Sequence, residues 1–373
     1  MIDSLLEIYK TYRPASGIAQ QRNEQLQSLT GEQFAQLESV LLQHIWSRDE
    51  AQMAIAEDVV SDLVMQTSFS VDLLLKAMLQ AGYAPLDHLF RAAGSQTENE
   101  LFAMLEEKNR PELVMRALAW VDSANATARF ADWQLEEAVA LLDLYMFNAG
   151  WELDANYQKR WLYSKSCFGL KAASNQIEIT GPTSLSTPSI LPSSFSVDER
   201  CRWCDRPLFT LTDFPTVYLE NIFSFKSSAP TLSIPFCMYC TLFEPVPMSL
   251  KPGSDGRDGL VDFSPRIDAA KTIEQPKYKL ETSGGILHLQ ISDCMRDPFA
   301  AVDSGRCYNL SQIGGFPTWP QDATYPHCVE CEQTMLFFMQ VESMDFPLLQ
   351  YEGVYHFFVC QGCSAEFAVQ QSN

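Results

Sequence analysis

Basic residues are scarce in this chain. Its 373 residues hold 26 Lys and Arg against 47 Asp and Glu, a formal net charge of −21. Binding nucleic acid through its phosphates takes clustered cations, so the charge argues against a nucleic-acid partner. The deficit is even, with net −11 over residues 1–165 and net −10 over residues 166–373. Histidine is rarer still. The five present are His44, His88, His288, His327 and His356, and none falls in a His-Glu-x-x-His spacing. A Gly-x-Ser-x-Gly elbow and a phosphate loop are also missing, so no motif argues for an enzyme. No apolar run reaches the roughly 18 residues of a membrane span, and no membrane partner is expected. The opening Met1-Ile2-Asp3-Ser4-Leu5-Leu6-Glu7 has no basic start and no long apolar core. No signal peptide is therefore expected, and the expected location is cytoplasmic.

Cysteine is absent from the first 166 residues and then abundant, with eleven in the remainder. Eight of these form four Cys-x-x-Cys pairs: Cys201/Cys204, Cys237/Cys240, Cys328/Cys331 and Cys360/Cys363. Two thiolates two residues apart grip one tetrahedral ion from a single tight turn, and two such turns complete an S₄ shell suited to Zn²⁺. Four pairs therefore imply two structural zinc sites, each with no open position for catalysis. The spacers of 32 and 28 residues leave room for a strand hairpin inside each site. Disulfides would need an oxidising compartment. A thioredoxin-like redox pair would open a helix, which Cys201-Arg202-Trp203-Cys204-Asp205-Arg206-Pro207 does not resemble. Cys167, Cys294 and Cys307 have no close partner and are expected as small buried residues. His327, beside Cys328, is a conceivable ligand or supporting group.

Residues 1–165 predict an all-helical domain, a bundle or a helical-repeat array. Thr30-Gly31-Glu32-Gln33 has the form of a capping box. Phe34, Leu37, Leu41 and Ile45 follow at helical spacing. Further helices are predicted over Ala51–Met65, Ser70–Gly82, Pro85–Gly94, Glu100–Lys108 and Pro111–Val121. Another covers Asp132–Phe147, with Leu135, Val139, Leu142 and Met146 as its apolar stripe, and a last one covers Tyr157–Lys165. Residues 166–196 are expected as a linker or extended segment, being rich in Ser, Thr and Pro from Thr180 onward. Residues 197–373 predict a β-rich domain, with strands at Ile286–Ile291, Met335–Val341 and Tyr355–Val359 and a loop at Pro252–Asp262. A weak internal repeat runs through both cysteine units: Cys-x-x-Cys, an apolar strand, then Asp-Phe-Pro at 213–215 and at 345–347. It favours pairing the first two cysteine pairs on one ion and the last two on another. The fold class expected is α+β.

A second signature is Ile313-Gly314-Gly315-Phe316-Pro317-Thr318-Trp319-Pro320-Gln321. Gly314 and Gly315 permit backbone angles closed to other residues, and Pro317 and Pro320 stiffen the chain around Trp319. Cys328-x-x-Cys331, a strand reaching Gln340 and the aromatic strand into Cys360 come next. Over roughly residues 309–363 this order resembles the YwqG-like family of bacterial proteins and the related eukaryotic ribosome-assembly chaperones of the programmed-cell-death-two type. The resemblance implies binding of a polypeptide. Bacterial members are associated with toxin systems as immunity proteins, whereas the eukaryotic relatives escort a ribosomal protein. Either partner would be basic, which suits the charge. Gly314, Gly315, Trp319, Gln321 and Gln340 are the candidate partner-binding residues, against the plainer reading that the motif packs a turn on a sheet. An enzyme with a site between the two parts is a further alternative without a supporting motif.

Overall fold

The computed structural model describes residues 2–10, 16–136, 141–173, 190–192, 194–201, 204–205, 207–215, 220, 222–223, 231–237, 240–242, 246–249, 288–302, 309–328, 331–346, 352–362 and 365–371. Helices come first and sheets follow, so the fold is α+β as expected. The chain divides into two compact units, residues 1–160 and 161–373.

The first unit holds α1 (Ile2–Lys10), α2 (Ser16–Gln27), α3 (Gly31–Ser47), α4 (Glu50–Gln66) and α5 (Asp72–Gln80). A 3₁₀ turn (Asp87–Ala92) leads to α6 (Ser95–Glu106), α7 (Pro111–Trp120), α8 (Ala124–Leu135) and α9 (Leu142–Asn148). The capping box forms: Thr30 Oγ1 accepts from Gln33 N, and the Gln33 side chain accepts from Thr30 N. The helical period then turns Leu37, Leu41 and Ile45 into one core with Leu63, Leu74 and Met78. A polar knot sits inside this core. Asp62 accepts from the Tyr9 hydroxyl at 2.7 Å and lies 2.8 Å from Arg22 Nε, with both charged side chains buried. Each charge satisfies the other, which is the condition for burying either.

Two helix expectations are corrected. The segment read as one helix over Asp132–Phe147 is two helices: α8 ends at Leu135 and α9 begins at Leu142, with residues 137–140 outside the described set. Leu135 and Leu142 of the apolar stripe belong to different helices. Leu135 is 62 % exposed, while Phe130, Trp133, Tyr145 and Met146 supply the buried side chains. The segment Tyr157–Lys165 is not helical. It forms part of a hairpin, β1 (Trp151–Leu153) with β2 (Lys159–Trp161). Asp154 Oδ1 accepts from the N–H groups of Asn156 and Gln158, and Tyr157 takes φ 59°. This is the Asx turn that Asp and Asn favour over helix.

The second unit holds β3 (Cys167–Ala173), β4 (Ile190–Pro192), β5 (Ser194–Arg200), β6 (Pro207–Pro215), β7 (Thr231–Phe236) and β8 (Val246–Ser249). It continues with β9 (His288–Met295), β10 (Gln312–Gly314), β11 (Leu336–Glu342), β12 (Val354–Val359) and β13 (Ala365–Gln371). Eight strands pair in the order β4-β9-β3-β10-β11-β12-β13-β8, and β5-β6-β7 make a second sheet. β11 and β12 are buried along nearly their whole length. Lack of alternation means that both faces are covered. On one face Phe236 of the small sheet meets Phe357 and Tyr355 edge-on, with ring centroids 5.3 and 5.9 Å apart. The expected linker also needs revision, because residues 167–173 are an interior strand paired with both β9 and β10. The compositional shift to Ser, Thr and Pro starts only later, at Thr180. Residues 174–189 and the expected loop at 252–262 lie outside the described residues.

One cap in the helical unit yields a test. The Asp72 carboxylate on α5 accepts from the N–H groups of Gly94, Gln96 and Thr97 at 2.8–3.1 Å, so it caps α6 from another helix. Desolvation raises its pKa, but the bonds from Thr97, Gln96 and Gly94 outweigh it and the net shift is downward. Asp72→Ala should cost about 1–2 kcal/mol at neutral pH, the value of a good cap. Because the folded pKa is depressed, the carboxylate's contribution is present above about pH 4 and fades as pH falls through the folded value. Urea unfolding followed by helical circular dichroism should show wild type and variant converging below pH 4. A gap independent of pH would contradict the assignment.

Candidate metal centres

Two groups of cysteine sulfurs converge in the second unit. Cys201, Cys204, Cys237 and Cys240 form one, and Cys328, Cys331 and Cys360 the other, with the sulfurs of each group within 4.8 Å of one another. Cys363 lies outside the described residues. The grouping is the one expected from chain order, first pair with second and third with fourth. Measured contacts are 3.6 Å for Cys201–Cys240, 3.5 Å for Cys204–Cys237 and 3.6 Å for Cys331–Cys360. Sulfurs about 2.3 Å from a common tetrahedral ion stand about 3.8 Å apart. A disulfide would need about 2.05 Å. The donor set and its spacing therefore fit a metal ion.

Local backbone builds each group in the same way. Asp205, directly after Cys204, has φ 57°, and its N–H donates to Cys201 O at 2.9 Å. Glu332, directly after Cys331, has φ 59°, and its N–H donates to Cys328 O at 2.8 Å. Thr241 N bonds Cys237 O likewise. Each turn points two sulfurs the same way. The strands that carry the turns also match in register. The residue before the first cysteine pairs six residues past it, Arg200 with Pro207 and His327 with Thr334. Phe209 pairs with Phe236 just before Cys237, as Leu336 pairs with Val359 just before Cys360. A register shift follows in both hairpins, after Thr210 and after Phe337. The weak sequence repeat is thus a shared pairing scheme in three dimensions, over the described residues.

Electrostatics in the first clasp call for a cation. Hydrogen bonding with Cys204 pushes the Cys201 thiol up, but the bonds from Cys237 and Cys240 outweigh it, so Cys201 is lowered overall. Cys237 and Cys240 are both pushed far up, chiefly through their bonds with Cys201 and Cys204. One sulfur ionises readily and the next resist, as close like charges must. A divalent ion removes the resistance.

Beside the second clasp, the Gly-Gly signature is held by a row of three cross-strand neighbours. Gln312 pairs with Gln340, and Gln340 with His356. Gln312 Nε2 donates to Phe316 O at 2.7 Å. Gln340 accepts from Thr318 N at 2.8 Å and donates to Leu310 O at 2.6 Å. His356 Nε2 meets Thr318 O at 2.7 Å, and burial pushes its pKa down to about 4 although that carbonyl partly offsets the shift. Trp319 stacks on the His356 ring at 4.7 Å. Gly314 and Gly315 have φ 66° and 73°, and added Cβ atoms would lie 2.0 Å from Ser166 O and 2.5 Å from Cys167 Sγ.

Of the five candidate partner-binding residues, Gly314, Gly315 and Gln340 are therefore internal, and the fold itself consumes their special properties. Trp319 is partly exposed and Gln321 exposed. Among the lone cysteines, Cys167 is buried as expected but within a polar network, accepting from Arg296 Nε at 3.4 Å. Cys294 is exposed, contrary to expectation, because it sits on the last turn of strand β9 next to the exposed Met295. Cys307 lies outside the described residues. His327 is exposed, its Nδ1 is 3.1 Å from Glu332 O, and it is not part of the sulfur group. Sequence reasoning missed Gln312, Arg296 and His356. Only the adjacency of Gln312 to the Gly-Gly pair could have signalled one of them.

Compared with known proteins, the chain is 26 % identical over 344 residues to a Salmonella typhimurium protein named Uncharacterized protein YpfL. The match covers 83 % of this chain and 73 % of that one, so it extends into both units. No protein-family profile matches the chain, and no solved structure does.

Two tests follow. Cys201→Ser should lower the bound metal from two equivalents to one by elemental analysis and leave the second clasp loaded. Loss of both ions, or of neither, would count against independent clasps. Gln340→Ala should leave Thr318 N without its partner, costing about 1–3 kcal/mol. Loosening of the loop should also red-shift Trp319 emission, measured in a variant whose other tryptophans are replaced by Phe.

Proposed function

We propose that this protein is a zinc-stapled, polypeptide-binding protein that acts by occlusion, and that its partner is a basic toxin it neutralises in the cytoplasm. The observation that carries the reading is the net charge of −21, spread over both halves of the chain. A surface of that sign steers a cationic protein in and speeds its association. Supporting it, each described cysteine group is all sulfur, and a complete S₄ shell keeps no site for substrate. Zinc is the ion because four thiolates in a tetrahedron suit it best and it brings no redox chemistry. The resemblance of residues 309–363 to YwqG-like proteins points the same way. Among the described residues, no helix is long and apolar enough to cross a membrane.

The partner is tested by capture. Tagged full-length protein should retain a basic polypeptide from lysate of its own source, and the complex should form more slowly as salt rises. Trp319→Ala should weaken retention while metal content stays at two equivalents. Protection of cells against the captured protein on co-expression establishes the immunity reading. Capture of a ribosomal protein without protection establishes an assembly factor instead. Turnover of a small substrate, abolished by one His or acid substitution, would overturn both.

A further inference from the structure

The two clasps share a pairing scheme but not an exposure. In the first, Cys201 is 2 % exposed, Cys237 and Cys240 are fully buried, and Cys204 is half-buried. In the second, Cys328 and Cys360 are buried, at 1 % and 4 %, but Cys331 is open to solvent. Cys331, Glu332 and Gln333 form the exposed tip of this knuckle, and the chain turns inward again only at Thr334. In the first clasp the equivalent stretch has the same length, ending at Pro207 as the other ends at Thr334, and there Cys204 is half-buried.

We propose that Cys331 is a modification site for small neutral oxidants of the peroxide class, through which the second clasp opens while the first stays shut. The proposal rests on both clasps holding a metal ion. A metal-bound thiolate remains a nucleophile when a reagent can reach it. The Cys331 sulfur attacks one peroxide oxygen. An S–O bond forms, the O–O bond breaks, and the departing hydroxide takes a proton to become water. Cys331 is then a sulfenic acid. Cys360 Sγ, 3.6 Å away, displaces the sulfenyl hydroxyl. An S–S bond forms, the S–O bond breaks, and a second water leaves after protonation. Two thiolates, one peroxide and two protons thus give one disulfide and two waters, with two electrons passing from sulfur to peroxide. Two of the ligands are then spent on each other and can no longer hold the ion.

Charge narrows the class of reagent. Glu332 is exposed directly beside Cys331, and the whole chain is acidic. Anionic disulfides such as glutathione disulfide meet repulsion there, and a neutral peroxide does not. The consequence of opening is local. Cys360 ends β12, and His356 on that strand holds the Trp319 loop through Thr318 O. Oxidation at Cys331 therefore acts on the loop that presents Trp319.

The test uses the full-length, metal-loaded wild type. Elemental analysis first establishes two equivalents of zinc, so that an unloaded clasp is recognised before any oxidant is added. Hydrogen peroxide is then added with a chromogenic zinc chelator present. One equivalent should leave on the order of tenfold faster than the other. Peptide mapping at that point should find Cys331 joined to Cys360, and reductant with zinc should reverse it. In parallel, neutral N-ethylmaleimide should label Cys331 before any other clasp cysteine, and anionic dithionitrobenzoate should react more slowly. The exposed Cys294 is outside both clasps, and Cys294→Ser should leave the release rate unchanged. Equal release of both ions, release first from the Cys201 clasp, or loss of zinc that depends on Cys294 would overturn the proposal.

Discussion

Thiolates packed within 5 Å of one another repel, and that repulsion governs the β-rich unit. Either the sulfurs stay protonated and disperse, or a cation gathers them. The first clasp shows the conflict directly, since Cys201 ionises easily while Cys237 and Cys240 are driven far from their ordinary range. A metal ion turns a destabilising cluster into a cross-link between strand ends, and the free energy of binding it becomes folding free energy. Cys201 and Cys237 lie at the ends of β5 and β7, and Cys328 and Cys360 lie beside β11 and β12.

From those fixed ends the interior follows. With the hairpin closed at Cys360, β11 and β12 run buried on both faces. One face packs on the small sheet through Phe236, and the other receives the loop that begins at Gly314. A loop covering a sheet must satisfy its own backbone groups. Here Gln312, Gln340 and His356 stand in a row across three strands and take up Phe316 O, Thr318 N and Thr318 O. Glycine is required at 314 and 315 because the turn needs positive φ and lies against Ser166 and Cys167. At Gly314, Gly315 and Gln340 the signature is thus explained as packing, and among the candidate residues the exposed side chains are those of Trp319, in part, and Gln321.

Much of this was legible in the residues. Cysteine pairs announce a clasp because their spacing is local and their chemistry rare. The capping box at Thr30 and the apolar stripe of α3 were equally plain, since both signals act within a few residues. What failed was continuity. The stripe Leu135-Val139-Leu142-Met146 has helical period, yet periodicity cannot show that the chain stops at Glu136 and restarts after Leu141. Tyr157–Lys165 carries aromatic and basic residues that suit a helix or a strand, and the Asx turn at Asp154 decided the matter. The strand at 167–173 was hidden because its partners, β9 and β10, lie more than a hundred residues away. Roles for Gln312 and His356 were hidden because a side chain that bonds loop backbone leaves no mark in local composition.

The matched register of the clasps bears on how function divides between them. Two hairpins with the same knuckle, the same pairing beside the cysteines and the same register shift have the same mechanical need, a link between their strand ends. Their surroundings differ. The first clasp buries three of its four cysteines and lends Phe209 and Phe236 to the shared core, so its contribution is to the sheet packing. The second exposes Cys331 and sits at the end of the strand that steadies Trp319. Stability alone does not call for an exposed sulfur in a clasp of this construction. Structural duty therefore falls on the first clasp. The second, with the same construction and an open sulfur, is where the proposed chemical response is placed.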